Sequence, residues 1–206
     1  TSWGQDLPER PRLGQLVLSI LENVPELPRL RLSSLDPAEP DHYLMTALET
    51  HARLMPHLHL SVQHGDDLIL KRMKRRHLAR DVLRFCEEAR RRRPDVVFGA
   101  DLIAGFPTET QAAHKRSMNL IIEAGLIHLH VFGFSARTGT PAAFMPQLDR
   151  SIVKQRVRAL RKSGNEQLAR HLKRRVGTAD MLLLEKGKKG YLSGFEKAQL
   201  KSEDTQ

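Results

Sequence analysis

The chain has 206 residues, 40% hydrophobic and 28% charged, enough for one sizeable domain with an appendage. Its formal net charge of +10 favours a polyanionic partner, nucleic acid first, while an aromatic content of 5% argues against a base-stacking platform. A single cysteine, Cys86, excludes an internal disulfide framework and a cysteine-held metal within these residues, and the longest apolar run, 13–21, is too short to span a membrane.

The opening TSWGQDLPER has no apolar stretch of signal-peptide type, and with one cysteine a cytosolic setting is the default expectation. A start at Thr1 without Met reads as a fragment, or as a chain processed from something longer. Leu13, Leu16, Val17, Ile20 and Leu21 recur at helical spacing, and LRLSSL (30–35) reads as a strand. DPAEP (36–40) is a turn, and Asp41 opens a helix over 41–54 that Pro56 ends. LHLSV (58–62) is a strand, DDLILKRM (66–73) a short helix, and 79–93 a longer helix closed by Pro94. DVVFGADLIAGF (95–106) is a strand with its following loop. Thr108, with Gln111 three residues on, has capping-box spacing for the next helix, which Gly125 ends. LIHLHVFGF (126–134) is the fourth strand.

Strands thus begin near 30, 57, 96 and 127, joined by helices, at the repeat of a βαβ unit. In HLHLSVQ, Leu58, Leu60 and Val62 oppose His57, His59, Ser61 and Gln63. In HLHVFGF, Leu129 and Val131 oppose His128 and His130. An open sheet covered by helices on both faces has strands apolar throughout; one apolar and one polar face predicts a barrel with a polar interior. Asp149 then starts a long helix that Gly164 interrupts, and DMLLLEKGKKGYLSGF (180–195) reads as two strands of a small β-appendage before a frayed tail.

The His-x-His pair 57/59 invites comparison with the zinc pair of barrel hydrolases, with His130 and Asp101 completing a ligand set. These histidines are placed at the N-terminal ends of their strands, whereas barrel ligands sit at C-terminal ends, so lining is favoured and no metal is expected. The C-terminal ends carry Ser33 and Ser34, Ser61 and Gln63, Asp101 with the Gly105 loop, and Ser135 with Arg137. That is a binding surface for a polar small molecule whose own chemistry does the work. Basic clusters at 71–77, 90–94, 170–175 and 185–190 are the candidate polyanion contacts.

LSSLDP, HLHLSVQHGDDLILKRMKRRH, FGADLIAGFPTET and HLHVFGFSARTGTPAAFM, in that order, closely resemble the radical S-adenosylmethionine (SAM) methylthiotransferases of tRNA. The wording is most similar to the branch acting on threonylcarbamoyladenosine at position 37, and VGTADMLLLEKGKKGYLSGFEKAQL is similar to the start of that family's TRAM domain. The resemblance implies an α/β fold, a partial (βα)6 TIM-like barrel with strands 3 to 6 present over 1–148. A connecting helix (149–177) and a truncated TRAM-like RNA-binding β domain (178–206) follow. It implies SAM held by Ser33, Ser34, Ser61, Gln63, Asp101, Ile103, Gly105 and Arg137. It implies an anticodon stem-loop of tRNA gripped by Lys71, Arg72, Lys74, Arg75, Arg76, Arg174, Arg175, Lys186, Lys188 and Lys189. A cytoplasmic monomer is expected.

The departure from the family is the absence of the cysteine motifs that hold its 4Fe-4S clusters. They are expected upstream of Thr1, which would leave this chain alone without cleavage of SAM and with no catalytic residue of its own. Two other readings stay open: a non-catalytic RNA-binding remnant and a metal-dependent barrel hydrolase.

Overall fold

In the computed structural model the described residues are 3–38 and 41–201, without the side chain of Lys186. The end of the 36–40 turn and the tail 202–206 therefore lie outside them. Four strands form one parallel sheet in chain order: β1 (Leu30–Leu35), β2 (Leu54–Gln63), β3 (Val97–Ala104) and β4 (Leu126–Gly133). Sequential parallel pairing needs a crossover each time. The helices supply it: α2 (His42–Thr50) after β1, α3 (Asp67–Arg72) and α4 (Ala79–Arg92) after β2, α5 (Gln111–Glu123) after β3. With α1 (Leu13–Asn23) and α6 (Arg150–Arg175), they pack neighbour to neighbour as α1, α2, α4, α5, α6.

All of them cover one face of the sheet. Leu58, Leu60, Val62, Phe98, Ala100, Leu102 and Val131 point into a core shared with Val17, Leu21, Leu44, Leu48, Val82, Phe85, Leu120, Ile121 and Leu160. The alternating polar residues face the other way, as a barrel interior requires. The sheet is thus part of a TIM-like barrel rather than a doubly wound layer. No helix among the described residues is long and apolar enough to cross a membrane.

Individual residues account for the element ends. Asp41 caps α2 through Leu44 N–H (3.2 Å) and takes the Gly14 N–H of α1 on its other oxygen (2.7 Å). Helix α2 stops at Thr50, short of the expected 54, because Arg93 donates to the carbonyls of Leu48, His51 and Leu54 there. Strand β2 consequently starts at Leu54 and runs through Pro56; the ladder to β1 skips that residue, pairing Leu30 with Leu54 and Leu32 with Leu58. The cap of α5 is Thr110, not Thr108, whose φ of 70° takes it out of the helix. Helix α6 is continuous through Gly164 instead of broken there. A Cβ at 164 would meet Leu129 Cδ1 at 2.5 Å, so the glycine lets α6 lie close on β4. The appendage has three strands rather than two: β5 (Leu183–Leu184), β6 (Lys189–Tyr191) and β7 (Lys197–Gln199), paired antiparallel in that order.

Candidate functional site

At the C-terminal ends of β2, β3 and β4 lies a cleft of about 730 Å3, a size suited to a nucleotide-like ligand. Gln63, Asp101, Ile103 and Arg137 line it, as does Ser135. A register shift at the end of β2 gives Gln63 a φ of 64°, a strained geometry that re-aims its side chain. Phe106, Phe132 and Phe134 form an apolar wall, with Phe106 and Phe134 in edge contact at 5.1 Å. Sequence reasoning missed this wall. Its signal is the alternate Phe132 and Phe134 at the end of β4, where Phe132 pairs with Ile103 and is 55% exposed.

Ser33, Ser34, Ser61 and Gly105 are not among the residues lining this cleft. Ser33 and Ser34 are exposed on edge strand β1. The Ser61 carbonyl accepts from Arg75 (2.9 Å). Gly105, with φ 77°, is pressed against α6: a Cβ there would meet Val153 Cγ2 at 2.5 Å. The missing Cβ lets α6 lie close to this turn.

Below the cleft, register brings the histidines together. Asp101 pairs with His130 and Gly99 with both His59 and His128. These histidines therefore sit in mid-strand, not at the N-terminal ends. Asp101 Oδ1 accepts from His59 Nε2 (3.0 Å) and His130 Nδ1 (3.1 Å). The three ligand atoms lie within 4.8 Å of one another, so this set, and not His57, is where a metal ion could be held. A Cβ on Gly99 would lie 2.5 Å from His59 Nδ1 and 2.9 Å from the His128 carbonyl. Gly99→Ala is expected to push His59 off Asp101 and to destabilise the fold by about 2 kcal/mol, readable in urea unfolding and in the His59 ring NMR signals.

The barrel floor is closed by the appendage. Phe195 stacks on His57 (5.0 Å) and on Tyr191 (4.6 Å), and the Arg31 guanidinium lies over the Phe195 ring at 5.2 Å from its centroid. His128 Nε2 pairs with the Gly194 carbonyl (3.1 Å), and Arg31 donates to the carbonyls of Leu192 and Ser193. Burial first, then the neighbouring His128 and His59 charges, pushes the His57 pKa down to about 3.

The basic residues divide. Arg72, Lys74 and Arg75 line the cleft, and Lys71 is exposed on α3 beside them. Arg72 donates to Thr108 and Arg76 pairs with Asp36 (3.3 Å). Arg174 and Arg175 line a hollow with Met55, Val97 and Ile127, at the opposite ends of the strands; Arg175 pairs with Asp180. Lys188 and Lys189 lie in the appendage, exposed. The arginine run of α4 is structural: Arg90 caps α5 through the Ala124 carbonyl (2.6 Å) and covers Phe98, and Arg91 and Arg92 pair with Glu88.

Cys86 is fully buried on α4, and burial pushes its thiol up to about 12. It fits no iron–sulfur cluster, and these residues offer no other cysteine. The cleft does fit SAM: an aromatic wall for an adenine, and Gln63, Asp101 and Arg137 for its polar ends.

Comparison with known proteins agrees with this geometry. A family profile described as Radical SAM superfamily matches residues 10–121. The chain is 49% identical over 195 residues to the threonylcarbamoyladenosine tRNA methylthiotransferase MtaB of Rickettsia prowazekii, covering 95% of this chain and 46% of that protein. It is 34% identical to a tRNA-2-methylthio-N(6)-dimethylallyladenosine synthase of Ehrlichia chaffeensis, covering 86% of this chain and 40% of that one. The chain thus spans less than half the length of these curated relatives. Among solved structures, the radical SAM enzyme coproporphyrinogen III oxidase (HemN) of Escherichia coli shares the fold with a TM-score of 0.55. Its identity is 16%, over 76% of this chain and 38% of that one. With a four-stranded parallel sheet of TIM-like curvature, a nucleotide-sized cleft at its strand ends and a profile match over more than half its residues, the chain belongs to the radical SAM superfamily.

Proposed function

We propose that these residues are the SAM- and RNA-facing part of a tRNA methylthiotransferase acting on C2 of threonylcarbamoyladenosine at position 37. One observation carries this reading: the cleft joins an aromatic, polar wall to a rim of cations at Arg72, Lys74 and Arg75. SAM, when bound, supplies the radical precursor and the methyl group. Gln63, Ile103 and Arg137 orient it in the cleft, while Phe106 and Phe134 exclude water from its adenine side. The anticodon stem-loop approaches this rim through Lys71, Arg72, Lys74, Arg75 and Arg76. Arg174, Arg175 and the appendage lysines Lys188 and Lys189 reach RNA flanking the loop; the Lys186 side chain lies outside the described residues. Residues 1–148, 149–177 and 178–206 serve as barrel, connecting helix and start of a TRAM-like RNA-binding domain. The protein works as a cytoplasmic monomer.

The test is direct. Calorimetry on the full-length protein should show SAM binding, weakened about tenfold by Ile103→Asp, one unpaired charge in an apolar wall. RNA binding across a salt series should lose about one unit of log–log slope for each of Lys71→Ala and Lys74→Ala. SAM affinity unchanged in Ile103→Asp, or a salt slope unchanged in both lysine variants, would refute the assignment. A non-catalytic RNA-binding role is the second reading; it predicts the RNA result without the SAM result.

A further inference from the structure

The Asp101–His59–His130 unit is built in a way that SAM does not require. Asp101 lines the cleft, yet one of its oxygens is saturated by two imidazole N–H groups from neighbouring strands. A carboxylate only accepts, so His59 Nε2 and His130 Nδ1 both carry protons. The unit is therefore closed by its own hydrogen bonds without a cation. Two acceptors are left over: the second oxygen of Asp101 and, with its proton on Nδ1, Nε2 of His130, whose side chain is 64% exposed. His59 is fixed from below, its ring resting where Gly99 has no Cβ.

The charge of the cleft points the same way. Four cations line it, Arg72, Lys74, Arg75 and Arg137, against the single carboxylate of Asp101. SAM brings one carboxylate and two positive centres, so it leaves that excess uncompensated. The ligand that completes the site is anionic and also offers hydrogen-bond donors.

We propose that this unit reads the substituent on the target adenosine and takes a polar, carboxylate-bearing group in preference to an apolar one. The inference rests on the tRNA reading above. A threonylcarbamoyl group has ureido N–H and hydroxyl donors for Asp101 and His130 Nε2, and a carboxylate for the cleft cations. A dimethylallyl group has neither, and would leave the part-buried second oxygen of Asp101 without a donor, the situation that makes such sites selective. Relatives with each substrate named match this chain, and Asp101 with His130 is where this chain chooses between them.

The experiment uses the full-length protein and three RNA stem-loops that differ only at one adenosine: threonylcarbamoyl, dimethylallyl or unmodified. Competition anisotropy should show the first bound at least about tenfold tighter than the second. His130→Phe should bring that ratio to within about twofold, and Asp101→Asn should reduce it as well. If His130→Phe fails to fold, Asp101→Asn decides. Equal binding of all three RNAs by the wild type, or an unchanged ratio in both variants, overturns the proposal while leaving the tRNA reading intact. Binding of none of them at low salt removes the tRNA reading and the proposal with it. Stoichiometric metal in the wild type that is lost in His130→Phe also overturns it, assigning the unit to an ion.

Discussion

Glu109→Gln is expected to destabilise the protein by about 3 kcal/mol and to loosen the loop that borders the cleft. The Glu109 side chain is completely buried at the junction of four elements. Its Oε1 faces His64 after β2 (3.7 Å), His114 on α5 (3.5 Å) and Arg156 on α6 (3.5 Å). Its Oε2 accepts the Gly105 N–H, and its own carbonyl accepts from Arg156 (2.8 Å). Burial by itself raises the carboxyl pKa; the contacts from His114 and His64 and the Arg156 charge outweigh it and hold the value at about 2. A folded pKa below the unfolded one contributes stability that is present above the unfolded value and lost as pH falls through the folded one. The window here runs from 4.5 down to about 2, and the shift corresponds to about 3 kcal/mol. In the Gln variant Arg156, itself 7% exposed, stays buried without its counter-charge. Urea unfolding at neutral pH measures the loss. A Gln variant as stable as wild type would show that the charge is not needed there.

The second large effect lies at the barrel floor. His57 is 6% exposed, its Nε2 has no hydrogen-bond partner, and its pKa is pushed down from 6.5 to about 3, by burial first. Between these values the unfolded chain binds a proton that the folded one refuses, so stability rises with pH through the window and is complete above about 6.5. Acidification from 6.5 to 3 is expected to remove about 3–5 kcal/mol. His57→Phe keeps a ring stacked on Phe195 and cannot titrate, so its stability should stay nearly flat from 6.5 down to about 4.5, where Glu109 begins to titrate. His128, whose pKa burial also lowers, retains a smaller slope. Unfolding midpoints at several pH values compare the two proteins; parallel curves would refute the assignment to His57. Because Phe195 belongs to the appendage, acid should also release that appendage from the barrel, visible as increased proteolysis near Gly177.

Local sequence reasoning succeeded where short-range physics decides. Period-2 alternation in HLHLSVQ and HLHVFGF assigns one apolar and one polar face. LRLSSL is a strand to the residue, and Asp41, Asp149 and Gly125 mark helix ends by capping and left-handed geometry. It erred where a distant residue decides. Arg93 ends α2 from 42 residues away, and Leu129 turns Gly164 from a break into a contact.

What the sequence determined by itself is the fold class, the polar interior and the absence of a cluster-binding cysteine set, because alternation and composition need no partner. Only the tertiary structure decided which polar residues meet. The parallel register sets Asp101 beside His130 and within reach of His59, and it separates the basic rim of the cleft from Arg174 and Arg175 at the other end of the strands. Register depends on the crossover lengths and on packing across the whole sheet, so a shift of one residue would exchange the two faces and empty the cleft of its polar groups.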